Sequence, residues 1–320
     1  MNTTYKPEGS RIATRENRDF LATPAGLERA MNSGAIVEGI VTLCDSRMCL
    51  HVDLHCAHGI IEPEEAVFCR PGEVRKDIAL ITRVGKPVAF RILSLEMQNG
   101  RLTARLSRRL AQQDCMRYHL LSLHPGDIIP ARVTHLEPFG AFLDIGCGLS
   151  SLLSVDCISV SRISHPRDRL NVGSELSVVV KTLDRESGRI YVSLRELLGT
   201  WEENAVDFEA GQTVAGIIRS IESYGVFVEL TPNLAGLAEL REGCTESLRD
   251  KIGQSVAVYI KSIMPERMKI KLVLVDCATS QPPRPQLHYF VDPATTPHLS
   301  HWVYSPPCCR KTVETVFEEA

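Results

Sequence analysis

The chain contains the stretch HLEPFGAFLDI at residues 135–145 and, 85 positions later, the similar stretch SIESYGVFVEL at residues 220–230. Each holds an aromatic residue, a glycine, a small or aliphatic residue and a second aromatic residue, in that order. Each also follows a glycine-led segment, GDIIPARV from Gly126 or GQTVAGII from Gly211, at the same offset. Similarity at one fixed spacing indicates a repeated structural unit. The chain therefore contains at least two copies of one domain.

Each copy continues with a second glycine-led segment, and a weaker third copy precedes the other two. The second segments read GSELSVVVKTLDRESGRIYVSL from residue 173 and GQSVAVYIKSIMPERMKIKLVL from residue 253. The weaker copy reads SGAIVEGIVTLCDSRMCLHVDL from residue 33 and GKPVAFRILSLEMQNGRLTARL from residue 85. The repeat therefore occurs three times.

Within each copy, short runs rich in Val, Ile and aromatic residues are bounded by Gly, Pro, Asp or Asn. Such runs predict strands joined by turns, about five in each copy. Five short strands hide their edges by closing into a small Greek-key barrel, to which a two-layer sandwich is the alternative. We therefore predict an all-β chain of three tandem OB-fold barrels, five strands in each, joined by short helical linkers.

The repeats and the segments between them predict the domain organisation. Residues 107–123 and 195–210 have apolar residues at helical spacing, and the sequence after about residue 277 is rich in proline. The predicted units are a flexible N-terminal leader (1–32), a degenerate OB-fold repeat (33–107), a helical linker (108–124), an OB-fold repeat (125–195), a second helical linker (196–209), a further OB-fold repeat (210–277) and a Pro-rich tail (278–320).

Composition limits the classes of function. The 320-residue chain is 44% hydrophobic and 23% charged, with a net charge of −3 and 11 cysteines. It has no apolar run of the length that a membrane helix needs, and its cysteines are too sparse and irregular for a disulfide framework. We therefore expect a cytoplasmic protein without a membrane segment. The near-neutral charge requires any RNA site to be local, because no overall positive field attracts a polyanion.

The aromatic residues of the two matching stretches predict a site for single-stranded RNA. Phe139 and Phe142 flank Gly140, and Tyr224 and Phe227 repeat the arrangement. OB barrels bind single strands by stacking bases on exposed aromatic rings, at about 1 to 3 kcal/mol per base. The alternative is that one ring of each pair fills the barrel core.

Basic residues near these rings would contact the RNA backbone. Arg189 and Lys269 occupy equivalent positions after the second glycine-led segment. A basic cluster in the connecting loop of the second repeat contains Arg162, His165, Arg167 and Arg169. A solvated loop is the alternative interpretation of this cluster.

The order of these motifs resembles the S1 domain of ribosomal protein S1. FGAF or YGVF is followed by an acidic residue, Gly-Leu, and, in the second repeat, a hairpin ending GRIYVSL. The resemblance implies an RNA-binding set of Phe139, Phe142 and Arg189, with Asp184 orienting Arg189, and in the third repeat Tyr224, Phe227 and Lys269. The position where the family often has a histidine, three residues after the glycine of Gly-Leu, is occupied by Ser151 in the second repeat and by Glu239 in the third.

The first repeat departs further from the family. It has Met48, Leu50 and His51 where aromatic residues are expected. In this family, degenerate N-terminal repeats tend to serve protein contacts, so the resemblance implies docking on the small ribosomal subunit. It also implies a short bacterial form of ribosomal protein S1, in which several modest sites act in series on one messenger RNA.

Two other classes of function compete with RNA binding. A scaffold would use the barrels for protein contacts, and a metal or redox protein would use the Cys and His residues near HVDLHCAH at 51–58 or in the tail. The spacing is poor for zinc, since the chain has no C-x-x-C pair. No nucleophile motif, phosphate loop or dinucleotide fingerprint occurs. We therefore predict no enzymatic activity, no cofactor and no metal.

Overall fold

A computed structural model describes residues 5–70, 72–98, 100–239, 251–277 and 287–318. It contains three closed barrels of five strands each. In every barrel the strands are ordered first, second, third, fifth, fourth, and the third and fifth strands pair in parallel. Closure leaves no open sheet edge in any of them. The predicted all-β fold of three tandem OB-type barrels is confirmed.

The fifteen barrel strands follow the repeats of the sequence. The first barrel comprises β1 (Val37–Cys44), β2 (Leu50–Asp53), β3 (His58–Ile61), β4 (Pro87–Gln98) and β5 (Arg101–Ser107). The second comprises β6 (Ile128–Glu137), β7 (Gly140–Asp144), β8 (Ser150–Ser154), β9 (Glu175–Asp184) and β10 (Arg189–Ser193). The third comprises β11 (Thr213–Glu222), β12 (Gly225–Thr231), β13 (Leu234–Ala238), β14 (Ser255–Met264) and β15 (Lys269–Cys277).

The segment predicted as a flexible leader contains two helices, α1 (Arg15–Leu21) and α2 (Pro24–Ser33). Thr14 and Thr23 cap their N-termini through the side-chain oxygen, which stabilises even a short helix. Asn17 then fixes α1 to β1: its amide group donates to the Glu38 carbonyl at 2.9 Å, and its carbonyl accepts from the Glu38 backbone N–H at 2.8 Å. The leader is therefore packed on the first barrel.

One helical segment lies within the first barrel, and two others connect the barrels. A short helix, α3 (Ile78–Ile81), lies in the β3–β4 connection, α4 (Arg108–Ser122) joins the first and second barrels, and α5 (Trp201–Ala205) joins the second and third. Ser107 caps α4, and a capping box of Thr200 and Glu203 begins α5.

Buried charges close the junction between the first two barrels. The Glu8 carboxylate accepts from Arg108 Nε at 2.7 Å and from the Ala89 backbone N–H at 3.1 Å. The Glu8 backbone N–H donates to the buried Asp144 carboxylate at 2.7 Å. Residues of the leader, α4 and two barrels thus share one polar network, which fixes the first barrel against the second.

The described part of the tail docks on the second and third barrels. It forms a two-stranded sheet of β16 (His301–Val303) and β17 (Glu314–Val316), and Trp302 lies in the same apolar cluster as the core of the third barrel. The Tyr304 hydroxyl donates to the Asn233 carbonyl at 2.6 Å. The Leu299 N–H donates to the Gly126 carbonyl at 2.9 Å, so the tail also contacts the start of the second barrel.

Candidate nucleic-acid interface

Two aromatic rings stand on the surface of the second barrel where β6 turns into β7. Phe139 and Phe142 have ring centroids 6.0 Å apart and planes at 88°. Phe139 is 55% exposed, Phe142 is half-buried, and neither belongs to the core. A Cβ on Gly140 would lie 2.4 Å from the Leu153 carbonyl oxygen, so glycine is required between the rings for β7 to pair closely with β8. Both rings therefore offer a face to a ligand.

Strand register extends this surface across four strands. Phe142 pairs with His135 on β6 and with Leu152 on β8, and Leu152 pairs with Tyr191 on β10. The His135 ring stacks on Phe142 with centroids 6.4 Å apart. Tyr191, which is 37% exposed, is a third ring that the sequence analysis missed. The available signal was its position two residues after Arg189, since residues i and i+2 of a strand share a face.

Arg189 begins β10 on the same face as Tyr191 and is exposed. It pairs in register with Asp184 at the end of β9. The Asp184 carboxylate accepts from the Ser187 hydroxyl and from the backbone N–H groups of Glu186 and Ser187, both at 3.0 Å. These hydrogen bonds, with Arg189 nearby, hold the pKa of Asp184 below its usual range. Asp184 therefore shapes the turn that presents Arg189. Phe139, Phe142, Tyr191 and Arg189 are called the second-barrel patch below.

A residue of the first barrel reaches the edge of this patch. Arg70 lies in the connection between β3 and β4, and its Nε donates to the Gly188 carbonyl at 3.1 Å. It lines a cleft of about 240 Å³ together with Phe142, Arg189 and Tyr191. No local sequence pattern connects Arg70 with a hairpin 118 positions away, so sequence analysis could not find it.

The third barrel repeats the pair of rings. Tyr224 is 61% exposed, Phe227 is half-buried, and their centroids are 6.2 Å apart with planes at 88°. Register places Lys271 where the second barrel has Tyr191, because Leu237 pairs with Lys271 as Leu152 pairs with Tyr191. Lys269 stands two residues before Lys271, as Arg189 stands two residues before Tyr191, and it is exposed. Lys269 therefore occupies the place of Arg189.

The expected equivalence of Ser151 and Glu239 is wrong. Phe142 pairs with Leu152, and Phe227 pairs with Leu237, so Glu239 corresponds to Ser154. Ser151 is buried, and its hydroxyl donates to the Ile190 carbonyl at 2.7 Å. Counting from the Gly-Leu motif gives the wrong equivalence because the β7–β8 connection of the second barrel is longer than the β12–β13 connection of the third.

The basic cluster of the second repeat is not one surface. Arg162 is exposed, and His165 begins a short 3-10 turn by accepting the Arg167 backbone N–H at 3.1 Å. Neither lines the cleft beside Phe142. Arg169 is buried against Glu229 of the third barrel, so its assignment to an RNA-binding cluster is wrong. A buried cation requires a counter-charge, and Glu229 supplies it.

The described part of the first barrel has no pair of Phe or Tyr rings on the corresponding face. Met48 and His51 occupy the positions of Phe139 and Phe142, because each barrel has the same register shift in its first strand. Leu50, offered by the sequence analysis as a surface candidate, is fully buried in the core. Among the described residues, this face therefore offers no pair of Phe or Tyr rings.

His51 belongs to a polar chain. Its Nδ1 is 2.8 Å from His58 Nε2, and its Nε2 is 3.2 Å from the Asp45 carboxylate. Burial, with the neighbouring His51, lowers the pKa of His58. The first barrel thus presents partnered polar groups where the second presents rings.

The described ranges of all three barrels contain His, Cys, Asp or Glu side chains. No three His, Cys, Asp or Glu side chains there are grouped so that they could hold a metal ion. Nine cysteines within these ranges are free thiols. None of the helices in the described part of the chain is long and apolar enough to cross a bilayer.

The barrels and their register define the class of this chain, which is a tandem OB-barrel protein. Residues 122–195 match the model of the S1 RNA binding domain family. The second repeat therefore matches the S1 RNA binding domain family, and the resemblance read from its motifs is confirmed.

Relatives match over more than one repeat. The chain is 30% identical over 198 residues to small ribosomal subunit protein bS1 of Staphylococcus aureus, a match that covers 59% of this chain and 50% of the relative. It is 30% identical over 197 residues to bS1 of Leuconostoc lactis, covering 58% and 45%. The solution structure of GSP13 from Bacillus subtilis is 27% identical, covering 23% of this chain and 57% of that chain with a TM-score of 0.22. The matched region spans about half the length of the curated bS1 relatives.

Proposed function

We propose that this chain binds single-stranded RNA by stacking bases on the second-barrel patch. The observation that carries the proposal is the pair of exposed rings, Phe139 and Phe142, on the same barrel face as Arg189. Rings at about a right angle present two faces to successive bases, and a guanidinium nearby neutralises the backbone that joins them. The match of residues 122–195 to an RNA-binding family supports the same conclusion.

The third barrel adds a second, weaker site. Tyr224 and Phe227 offer the same geometry, with Lys269 in the place of Arg189. Glu239 lies beside Lys271 at 3.8 Å and offsets its charge. Two modest sites on one strand act through effective concentration, which raises apparent affinity without new contacts. The basic loop residues Arg162 and His165 remain candidates for contacts outside the cleft.

In the cell, we propose, the chain acts in translation as an S1-like factor on messenger RNA. Support comes from the bS1 relatives, whose names place them in the small ribosomal subunit. The first barrel is the candidate for docking on that subunit. It exposes several large apolar side chains, and an exposed apolar surface favours a protein contact over RNA. These side chains are Ile40, Leu43, Ile78, Ile81 and Val84.

Fluorescence anisotropy of a labelled single-stranded RNA tests stacking directly. The double variant Phe139→Ala, Phe142→Ala should lose about 2 kcal/mol or more of binding free energy, because it removes two stacking faces. Tyr259→Ala is the matched control, since Tyr259 is an exposed ring on β14 that pairs with Thr213 rather than with the patch.

Circular dichroism should find both variants folded, because none of the three rings is a core residue. If the intact chain fails to bind RNA at low salt, stacking is excluded. The exposed apolar side chains of the first barrel then favour the competing function, a scaffold for protein contacts.

A further inference from the structure

The connection between β3 and β4 leaves the first barrel and packs on the second. Phe68 packs against the core cluster of the second barrel, and its backbone N–H donates to the Gln112 side chain of α4 at 2.9 Å. Two residues later, Arg70 Nε donates to the Gly188 carbonyl in the turn before Arg189. The first barrel therefore contributes a fixed cation to the RNA-facing side of the second.

Resting on the proposed function, we propose that Arg70 and Arg189 together bind one backbone phosphate of the RNA held by the second-barrel patch. Both arginines line the cleft that also contains Phe142 and Tyr191. A phosphate joining two stacked bases must lie close to those rings, because a nucleotide unit is short. Two guanidinium groups beside it supply planar, charge-assisted hydrogen bonds.

Arg70 retains donors for this contact. It uses Nε for the Gly188 carbonyl and Nη1 for Glu73 at 3.3 Å. A guanidinium has five N–H donors, so these two contacts leave others available. Glu73 is an exposed partner in a surface ion pair, which is weak and easily exchanged for a phosphate. The hydrogen bond to Gly188 positions Arg70 in advance and lowers the entropy lost on binding.

A purely structural role would also explain the bond from Arg70 to Gly188. The two roles differ in the salt dependence of RNA binding. Each phosphate neutralised on a single strand changes the slope of log K against log salt by about 0.7, whereas a positioning hydrogen bond leaves the slope unchanged. Charge and geometry can be separated by two variants: Arg70→Gln removes the charge, and Arg70→Lys keeps it.

The experiment is a salt series of anisotropy titrations on the full chain with a labelled single-stranded RNA. Arg70→Gln should weaken binding about 3- to 10-fold at low salt and reduce the slope by part of the roughly 0.7 that one phosphate contributes, and the double variant Arg70→Gln, Arg189→Gln should reduce it by about 0.7. Arg70→Lys should keep the wild-type slope. Arg47→Gln is the control, since Arg47 is an exposed arginine of the first barrel paired with Asp45. It should change neither quantity.

A double-mutant cycle adds a second criterion. Arg70→Gln and Arg189→Gln should combine non-additively, because both act on one phosphate. A wild-type slope in Arg70→Gln, or full additivity with Arg189→Gln, would overturn the shared-phosphate proposal. If the shared-phosphate proposal fails but the double variant Phe139→Ala, Phe142→Ala still loses RNA affinity, the proposed RNA binding stands. If the wild type itself does not bind RNA, the proposed function falls first.

Discussion

A single residue shift in the first strand of each barrel positions the candidate binding face. The register slips between Val133 and His135 in the second barrel and between Ile218 and Ser220 in the third. The Thr134 hydroxyl, at the slip, donates to the Phe142 carbonyl at 3.0 Å. A β-bulge turns the strand locally and redirects the side chains beside it. The rings of the candidate interface therefore follow the bulge.

Exchange of one residue between barrels tests the charge of these faces. Glu239→Ser gives the third barrel the residue that the second has at Ser154, and it frees Lys271 for a phosphate. Affinity of the full chain for single-stranded RNA should rise about 2- to 5-fold at low salt, the range of a surface ion pair. Anisotropy titration measures it. The reciprocal Ser154→Glu should weaken binding by a similar factor, and equal affinities in all three proteins would contradict the idea.

The sequence predicted those residues of the site whose signal is local. Phe139, Phe142, Tyr224 and Phe227 were found because two aromatic residues flank a glycine at a fixed spacing in each repeat. Their role in RNA binding remains a proposal. Arg70 and the burial of Arg169 depend on contacts between barrels, which no pattern within one repeat encodes.

At the scale of elements, the barrels were predictable and their attachments were not. Strand alternation and repeated glycines predicted fifteen strands, because each barrel is a local unit with a strong pattern. The helices α1 and α2 are short, and no apolar segment follows the charged residues of the N-terminus, so the sequence suggested a flexible leader. Capping threonines and the contact between Asn17 and Glu38 stabilise this region instead.

Glu38 makes the attachment of the leader sensitive to pH. Its carboxyl accepts the backbone N–H groups of Gly9, Arg11 and Ile12 at 2.9 to 3.1 Å, and burial raises its pKa to about 7. The unfolded value is near 4.3. The folded chain therefore binds more protons than the unfolded chain between these values, and this stabilisation is lost as the pH rises through about 7.

Glu38→Gln should remove this dependence, because the amide does not titrate. The free energy of unfolding of the wild type should fall relative to the variant by on the order of 2 kcal/mol between pH 5 and pH 8. Urea unfolding at both pH values measures the difference in free energy of unfolding between wild type and variant. The contributions of other titrating groups are common to both proteins and cancel in this difference. A difference that is the same at both pH values would mean that Glu38 is ionised throughout.

At the scale of the whole molecule, buried charges join neighbouring barrels. Arg169 of the second barrel and Arg219 of the third both contact the Glu229 carboxylate, Arg219 Nε at 2.7 Å. Arg219 also lies 3.6 Å from Asp168. The network is almost fully buried, so each cation depends on its partner.

Glu229→Gln should therefore destabilise the chain strongly. It leaves two buried guanidinium groups without a full counter-charge, at a cost of about 3 to 5 kcal/mol. Denaturant unfolding measures this, with Glu202→Gln on the exposed side of α5 as a control that should change stability by less than about 0.5 kcal/mol. Similar small losses in both variants would show that the junction does not require the ion pair.

The docked tail means that part of the packing between barrels forms late in synthesis. Synthesis proceeds from the N-terminus, and domains fold as they emerge. When synthesis has passed residue 277, the nascent chain contains all fifteen barrel strands. It still lacks Trp302, Tyr304 and Phe317, which complete the apolar cluster shared by the second and third barrels. The apolar cluster shared by these barrels is therefore complete only after β17 has left the translating ribosome.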